Sequence, residues 1–247
     1  MYKFIIFIGS IFIISMYGCD ADPVGPSLGD NLFPLKTGNK FEYKMVDIDS
    51  NQAEIPETAR NFTREIGTSL YVNGRLAYPV YGTYFNPNNS IVGRDTLYVY
   101  KSSADDTISY YMKVIIPIND TSSITINKWA PIFLRQYGSE YKYTFFDSTV
   151  VITSVIGGIE YPVYLTVTLY NSTGSKNKIV VPENKDGYWT NRLNISYAIK
   201  QAGATIREGD LYKVWLAEQI GPVKESKYYV ERKTGTQIEL TAKTIIK

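Results

Sequence analysis

Apolar and polar residues alternate along most of this chain. In Lys40-Phe-Glu-Tyr-Lys-Met-Val46, Phe41, Tyr43 and Met45 fall on one side and Lys40, Glu42 and Lys44 on the other. A period of two marks a half-buried β-strand, because successive side chains leave a strand on opposite faces. The same rhythm runs through Thr96–Lys101, Ile108–Ile116, Glu140–Val155, Tyr161–Tyr170, Asn194–Lys200, Leu211–Leu216, Val223–Arg232 and Gln237–Ile246. Helical periodicity is nearly absent. Turn chemistry separates the runs: Val72-Asn-Gly-Arg75, Asn86-Pro-Asn-Asn-Ser90, Ile156-Gly-Gly-Ile159, Asn171-Ser-Thr-Gly174, Lys185-Asp-Gly187 and Lys233-Thr-Gly235. Asn-Gly, Gly-Gly and Asp-Gly supply the positive φ angles of tight hairpins. The pattern predicts an all-β protein of roughly a dozen strands, forming an antiparallel curved sheet, half-barrel or barrel.

Two motifs recur in the same order. Asn73-Gly-Arg-Leu-Ala-Tyr-Pro-Val-Tyr81 and Gly157-Gly-Ile-Glu-Tyr-Pro-Val-Tyr164 each run from a glycine turn into Tyr-Pro-Val-Tyr. Upstream of them, Leu32–Tyr43 and Pro131–Tyr143 each lead from an apolar-basic stretch through glycine to an aromatic strand. The order predicts two related β repeats, residues 31–128 and 129–247, which could form one continuous domain. Proline cannot donate to a ladder, so Tyr-Pro-Val-Tyr is expected at a sheet edge or at the start of a strand.

The first residues follow another rule. Lys3 is followed by the apolar run Phe4–Met16, then Tyr17-Gly18-Cys19. The run has signal-peptide length and is short for a membrane span. Residues 1–18 resemble a bacterial lipoprotein signal peptide, which would make Cys19 the lipidated new N-terminus. Met16 and Tyr17 depart from the usual lipobox, so a plain signal peptide or an uncleaved anchor are the alternatives. Residues 19–30 are rich in Pro, Gly and Asp and read as a flexible tether. Asp20 and Asp22 would retain a lipoprotein at the inner membrane in some bacteria and route it outward in others; the outer membrane is the expected location.

The opener Phe33-Pro-Leu-Lys-Thr-Gly-Asn-Lys-Phe-Glu-Tyr43 and the late segment Val214-Trp-Leu-Ala-Glu-Gln-Ile-Gly-Pro-Val-Lys224 resemble the opening and closing motifs of a family of bacterial lipoproteins without assigned chemistry. Glu218-Gln219 stand where that family usually has glycine. The resemblance implies a mostly antiparallel β fold, open or closed as a half-barrel, and transfers no functional residue.

Composition narrows the chemistry. The net charge is +2, from 26 basic and 24 acidic residues, and the charges are interspersed. Nucleic acid is therefore not an expected partner. The chain has no histidine, which removes the commonest general base and metal ligand. With Cys19 as the single cysteine, a lipidated chain keeps no thiol for disulfides or catalysis. Neither a metal nor a cofactor is expected. The 22 tyrosines read mainly as half-buried strand residues, with an exposed binding face as the alternative.

Few residues stand out as candidates. Asp105-Asp106 reads as a solvated hairpin tip; it lacks the alternating ligands of a calcium loop. Glu225, Glu231 and Glu239 cluster near the C-terminus, but the pattern selects no pair spaced for glycoside hydrolysis. Asp95-Thr-Leu97, Asp106-Thr-Ile108 and Asp147-Ser-Thr149 resemble a short bacterial O-glycosylation signal that chance also supplies. Trp129 and Trp215 are expected in the core. Tyr188 and Trp189 follow a turn and are the candidate pair for stacking on a sugar ring. The functional expectation is a lipid-anchored envelope protein without catalytic activity that binds glycan, lipid or protein. An envelope structural component is the alternative, with a carboxylate hydrolase behind it. A Cys19→Ser variant is expected to move from the membrane to the soluble fraction; unchanged fractionation and gel mobility would overturn the anchor.

Overall fold

The computed structural model describes residues 33–102, 107–118, 122–134 and 141–246. Cys19, the tether and Asp105-Asp106 lie outside them. In chain order the strands are β1 (Lys40–Ile48), β2 (Glu54–Ile66), β3 (Leu70–Val72), β4 (Arg75–Phe85), β5 (Ile91–Lys101), β6 (Thr107–Pro117) and β7 (Ser123–Leu134). The second half contributes β8 (Lys142–Ile156), β9 (Ile159–Thr173), β10 (Asn177–Val181), β11 (Asn184–Gln201), β12 (Ala204–Ala217), β13 (Gly221–Tyr229) and β14 (Thr234–Thr244). All pair antiparallel in one sheet ordered β7-β6-β5-β4-β2-β1-β14-β13-β12-β11-β9-β8, with β3 on β4 and β10 on β11. The all-β expectation holds: the sheet is a meander in each half, joined where the first strand pairs with the last.

The sheet curls until its ends approach. Tyr110 of β6 and Tyr212 of β12 stack across the interior with ring centroids 6.0 Å apart. β7 packs against β9 and β11. There the buried Asn171 donates from Nδ2 to the Pro131 carbonyl at 2.7 Å. Pro131 sits on the edge strand with its missing N–H facing away from the ladder, the position a sheet tolerates. Inward residues such as Phe41, Phe62, Val80, Val99, Tyr110, Val167, Ile195, Val214 and Leu240 form one continuous core.

The two ends of the described region are tied together by a buried asparagine. Asn39 donates from Nδ2 to the Pro34 carbonyl at 2.6 Å and accepts from the Ile246 N–H at 2.8 Å, while its own carbonyl takes the Ile66 N–H at 2.9 Å. The opening and closing sequence motifs also meet here. Phe33 lies against Gly221, where a Cβ would sit 2.8 Å from the ring and φ is +93°, so only glycine fits. The Tyr43 hydroxyl donates to the Pro222 carbonyl at 3.1 Å.

Several sequence expectations change. Asn171-Ser-Thr-Gly174 is not a turn; Asn171 is inside β9. Lys185-Asp-Gly187 belongs to β11, where Gly187 (φ +77°) forms a bulge and the reversal falls at Pro182-Glu183. The boundary drawn between 128 and 129 cuts β7, and the next strand starts at Lys142. Pro79 is neither at a sheet edge nor at a strand start. It lies mid-β4 opposite the break between β2 and β3, where its carbonyl accepts from the Gly67 N–H at 2.8 Å and no ladder needs its nitrogen. Pro162 lies in β9 beyond the reach of β11, so it has a partner strand on one side only. Trp129 and Trp215 sit on the convex outer face, because their neighbours Ala130, Val214 and Leu216 take the inward positions. Trp129 packs with Tyr100 and Tyr111, and Arg75 lies over it at 5.5 Å.

Candidate functional site

One place inside the half-barrel departs from an apolar core. On β2, Phe62, Arg64 and Ile66 all face inward by period two; on β13, so do Val223 and Glu225. Curvature brings these two strands together over β1 and β14. Arg64 and Glu225 form a two-pronged ion pair, with Nη2 to Oε2 at 2.8 Å and a second, short Nη1 to Oε1 contact. Their side chains retain 12% and 4% exposure. The Arg64 guanidinium also lies over the rings of Tyr43 at 5.6 Å and Phe62 at 5.2 Å. Burial alone would favour a neutral Arg64, but the carboxylate of Glu225 and its hydrogen bonds outweigh this and hold the charge. A planar guanidinium suits this site, since it can take both carboxylate oxygens and stack on rings at once.

Above the pair opens a cavity of about 310 Å³. Met45, Phe62, Tyr84, Leu97, Met112 and Ile238 wall it, and Asp95, Lys227, Tyr229 and Thr236 stand at its mouth. Gly82 makes the wall possible. A Cβ there would fall 2.0 Å from the Asp95 carboxylate and 3.0 Å from the Phe62 ring. Without it, Tyr84 donates its hydroxyl hydrogen to Asp95 and stacks on Phe62 at 4.8 Å.

At the floor, Tyr110 and Tyr212 line the cavity with their rings, while their hydroxyls are buried out of its reach. They lie within interaction range of each other and of Glu225.

The cavity opens through a fork in the sheet. β5 pairs with β4 along its length, but with β6 only from Tyr98 to Lys101, opposite Tyr111 to Ile108. Below that point β6 continues with β7 alone.

The candidates named from sequence lie elsewhere. Tyr188 and Trp189 are consecutive in β11 and project to opposite faces, so they form no common stacking platform. Tyr188 turns inward and donates to Glu183, while Lys243 donates to the Tyr188 oxygen at 2.7 Å. Burial opposes the charge on Glu183, but the bonds from Lys243 and Tyr188 outweigh it and hold Glu183 below the usual carboxylate range. Trp189 stands 66% exposed by itself. The carboxylates do not converge: Glu225 is inward, and Glu239 bonds Lys224 at 2.8 Å on the outer face. Glu231 lines an open groove. No group of three or more metal-ligating side chains occurs among the described residues.

No family model matches the chain, and no curated protein does. Two crystal structures are similar to it in shape. One is a Bacteroides fragilis protein of YmcC-like fold taken to be exported, with 10% identity and a TM-score of 0.47 over 87% of this chain and 99% of that one. The other is a Parabacteroides distasonis protein taken to be a lipoprotein, with 11% identity and a TM-score of 0.44 over 87% and 98%. Likeness at this level concerns the course of the chain and carries nothing about function.

The buried groups make two expectations. Arg64→Met should cost about 3–5 kcal/mol in chemical denaturation, because it strands the Glu225 charge, and Arg64→Met/Glu225→Leu should recover most of the loss. Equal losses in both would show that the pairing does not matter. The second concerns alkali. Burial raises the pKa of Tyr43, Tyr110 and Tyr212 above its ordinary value of about 10. A raised folded-state value gives stability that is complete below about pH 10 and lost as pH climbs past it. Denaturation midpoints should fall over that range as tyrosinate absorbance appears with unfolding. Midpoints that stay flat while tyrosinate forms in the folded protein would refute it.

Proposed function

We propose that this chain is a lipid-anchored protein of the bacterial cell envelope, held by Cys19, whose half-barrel binds a ligand in the cleft above Arg64 and Glu225. The supporting observation is the meeting of cavity and chemistry: about 310 Å³ of aromatic-walled space lies over the buried Arg64–Glu225 pair and is also lined by Asp95, Lys227 and Thr236. Binding pockets are typically apolar with a few polar groups that orient the ligand, and this volume falls at the small end of their range. Binding fits the site better than catalysis. Glu225 at the floor is neutralised by Arg64, and Asp95 at the mouth is engaged by Tyr84.

The alternative, an assembly component, has one observation in its favour. Past the end of β11, β8 and β9 continue as a two-stranded arm that exposes Val151, Val155, Ile159, Tyr161 and Tyr164. Exposed apolar surface of this kind marks contact sites.

Melting temperature separates the two readings, since a ligand that binds only the folded state raises it. The probes are chitooligosaccharides, a lysophospholipid below its micelle concentration and short unstructured peptides. At least one class should raise the melting temperature of the wild type. Thr236→Trp, which places a ring across the mouth, should abolish the shift. Equal shifts in wild type and Thr236→Trp would refute the cleft as the binding site.

A further inference from the structure

The wall of the cleft at the β5–β6 fork is unusual in its makeup. Where a cavity touches only side chains of a strand, alternate residues line it. Here consecutive residues do: Thr96, Leu97 and Tyr98 on one side, Tyr111, Met112 and Lys113 on the other. The cavity therefore reaches the backbone of both strands. A second cavity of about 250 Å³ follows the β6 edge from Met112 through Ile115. It shares Lys227 and Tyr229 with the first, and Tyr228 and Glu231 with the open groove beyond.

The hydrogen bonds around the fork show which backbone groups face this slot. The Pro79 carbonyl points to Gly67, away from β5. Its opposite residue, Tyr98, therefore points its N–H and C=O toward β6, and so does every second residue of β5, including Thr96. Tyr98 stands opposite Tyr111, so Tyr111, Lys113 and Ile115 present theirs toward β5. Met112, Val114 and Ile116 make the ladder with β7. Beyond Tyr98 and Tyr111 the strands separate, and Thr96, Lys113 and Ile115 have no backbone partner among the described residues. At the far end Arg207 of β12 donates to the Pro117 carbonyl at 2.9 Å, which confirms the direction of this edge. A free strand edge with groups at strand spacing is a template for one more strand.

We propose that the fork takes an extended peptide segment of a partner protein, which adds to the free edge of β6 as a β-strand. This rests on the cleft being the binding site and names the class of ligand. Between the occupied ends at Tyr111 and Pro117, the edge offers the backbone groups of Lys113 and Ile115, spaced about 7 Å apart. The peptide's main chain would pair with Lys113 and Ile115, and its inward side chains would enter the aromatic cavity. A lipid tail would leave the edge amides unmatched, and a glycan's hydroxyls do not alternate donor and acceptor at strand spacing as a peptide backbone does.

Amide exchange in the free protein comes first: Lys113 and Ile115 should exchange fast while Met112 and Val114 stay protected. Peptides are then selected from a random library displayed on phage. The best binders should protect the Lys113 and Ile115 amides, and N-methylation at alternate peptide residues should weaken them at least about tenfold. Lys113→Pro removes one slot-facing N–H without touching the β7 ladder and should weaken binding similarly. Lys113→Ala keeps the N–H and should weaken binding far less than Lys113→Pro, which separates loss of the backbone donor from loss of the side chain. Selected peptides that bind without protecting these amides, or that tolerate N-methylation, would overturn strand addition and leave the cleft in place. So would a lysophospholipid or oligosaccharide that stabilises the wild type where no peptide binds. Binding that survives Thr236→Trp would instead remove the cleft itself.

Discussion

The interior of this half-barrel is organised around two opposite charges that neither half of the chain could bury alone. Arg64 comes from the first half and Glu225 from the second, 161 residues apart. Each carries a desolvation cost of several kcal/mol that only the other offsets. The pair therefore acts as a registration device. A slip of one residue in β2 or β13 would turn one charge outward and leave its partner stranded inside. The aromatic rings stacked around Arg64, the space above Glu225 and the curvature that joins β2 to β13 all follow from keeping the pair intact.

Much of the architecture is legible in the residues. Period-two alternation and glycine turns locate most of the long strands. The strands that escape the pattern have physical reasons. β2 carries Glu57, Arg60, Asn61 and Thr63 on both faces near its exposed start, so its alternation is faint. β7 contains Pro131, which pattern alone would exclude from a strand, yet an edge strand tolerates it. Asn171 mimics a turn residue while its side chain is needed to seal the sheet ends.

The site was half visible. Arg64 sits between Phe62 and Ile66, and Glu225 follows Val223 at strand spacing. A charge on an apolar strand face is a readable anomaly that asks for a buried partner. Which charge answers which cannot be read, because pairing depends on curvature summed over four strands. Tyr188 and Trp189 drew attention by adjacency, but the strand period that identified β11 also places them on opposite faces. The fork between β5 and β6 leaves no trace in the sequence: both strands alternate normally, and only their divergence opens the cleft.

The seam between β1 and β14 has a consequence for how the protein comes into being. Among the described residues, the first strand, β1, finds its partner in the last, β14. A sheet centred on such a seam cannot be completed from either half alone, and closing so long a loop is slow. A polypeptide emerging N-terminus first must hold one flank of β1 bare until β14 has been made. Maturation of this molecule is thus timed by β14, the strand that joins two separate meanders into one sheet.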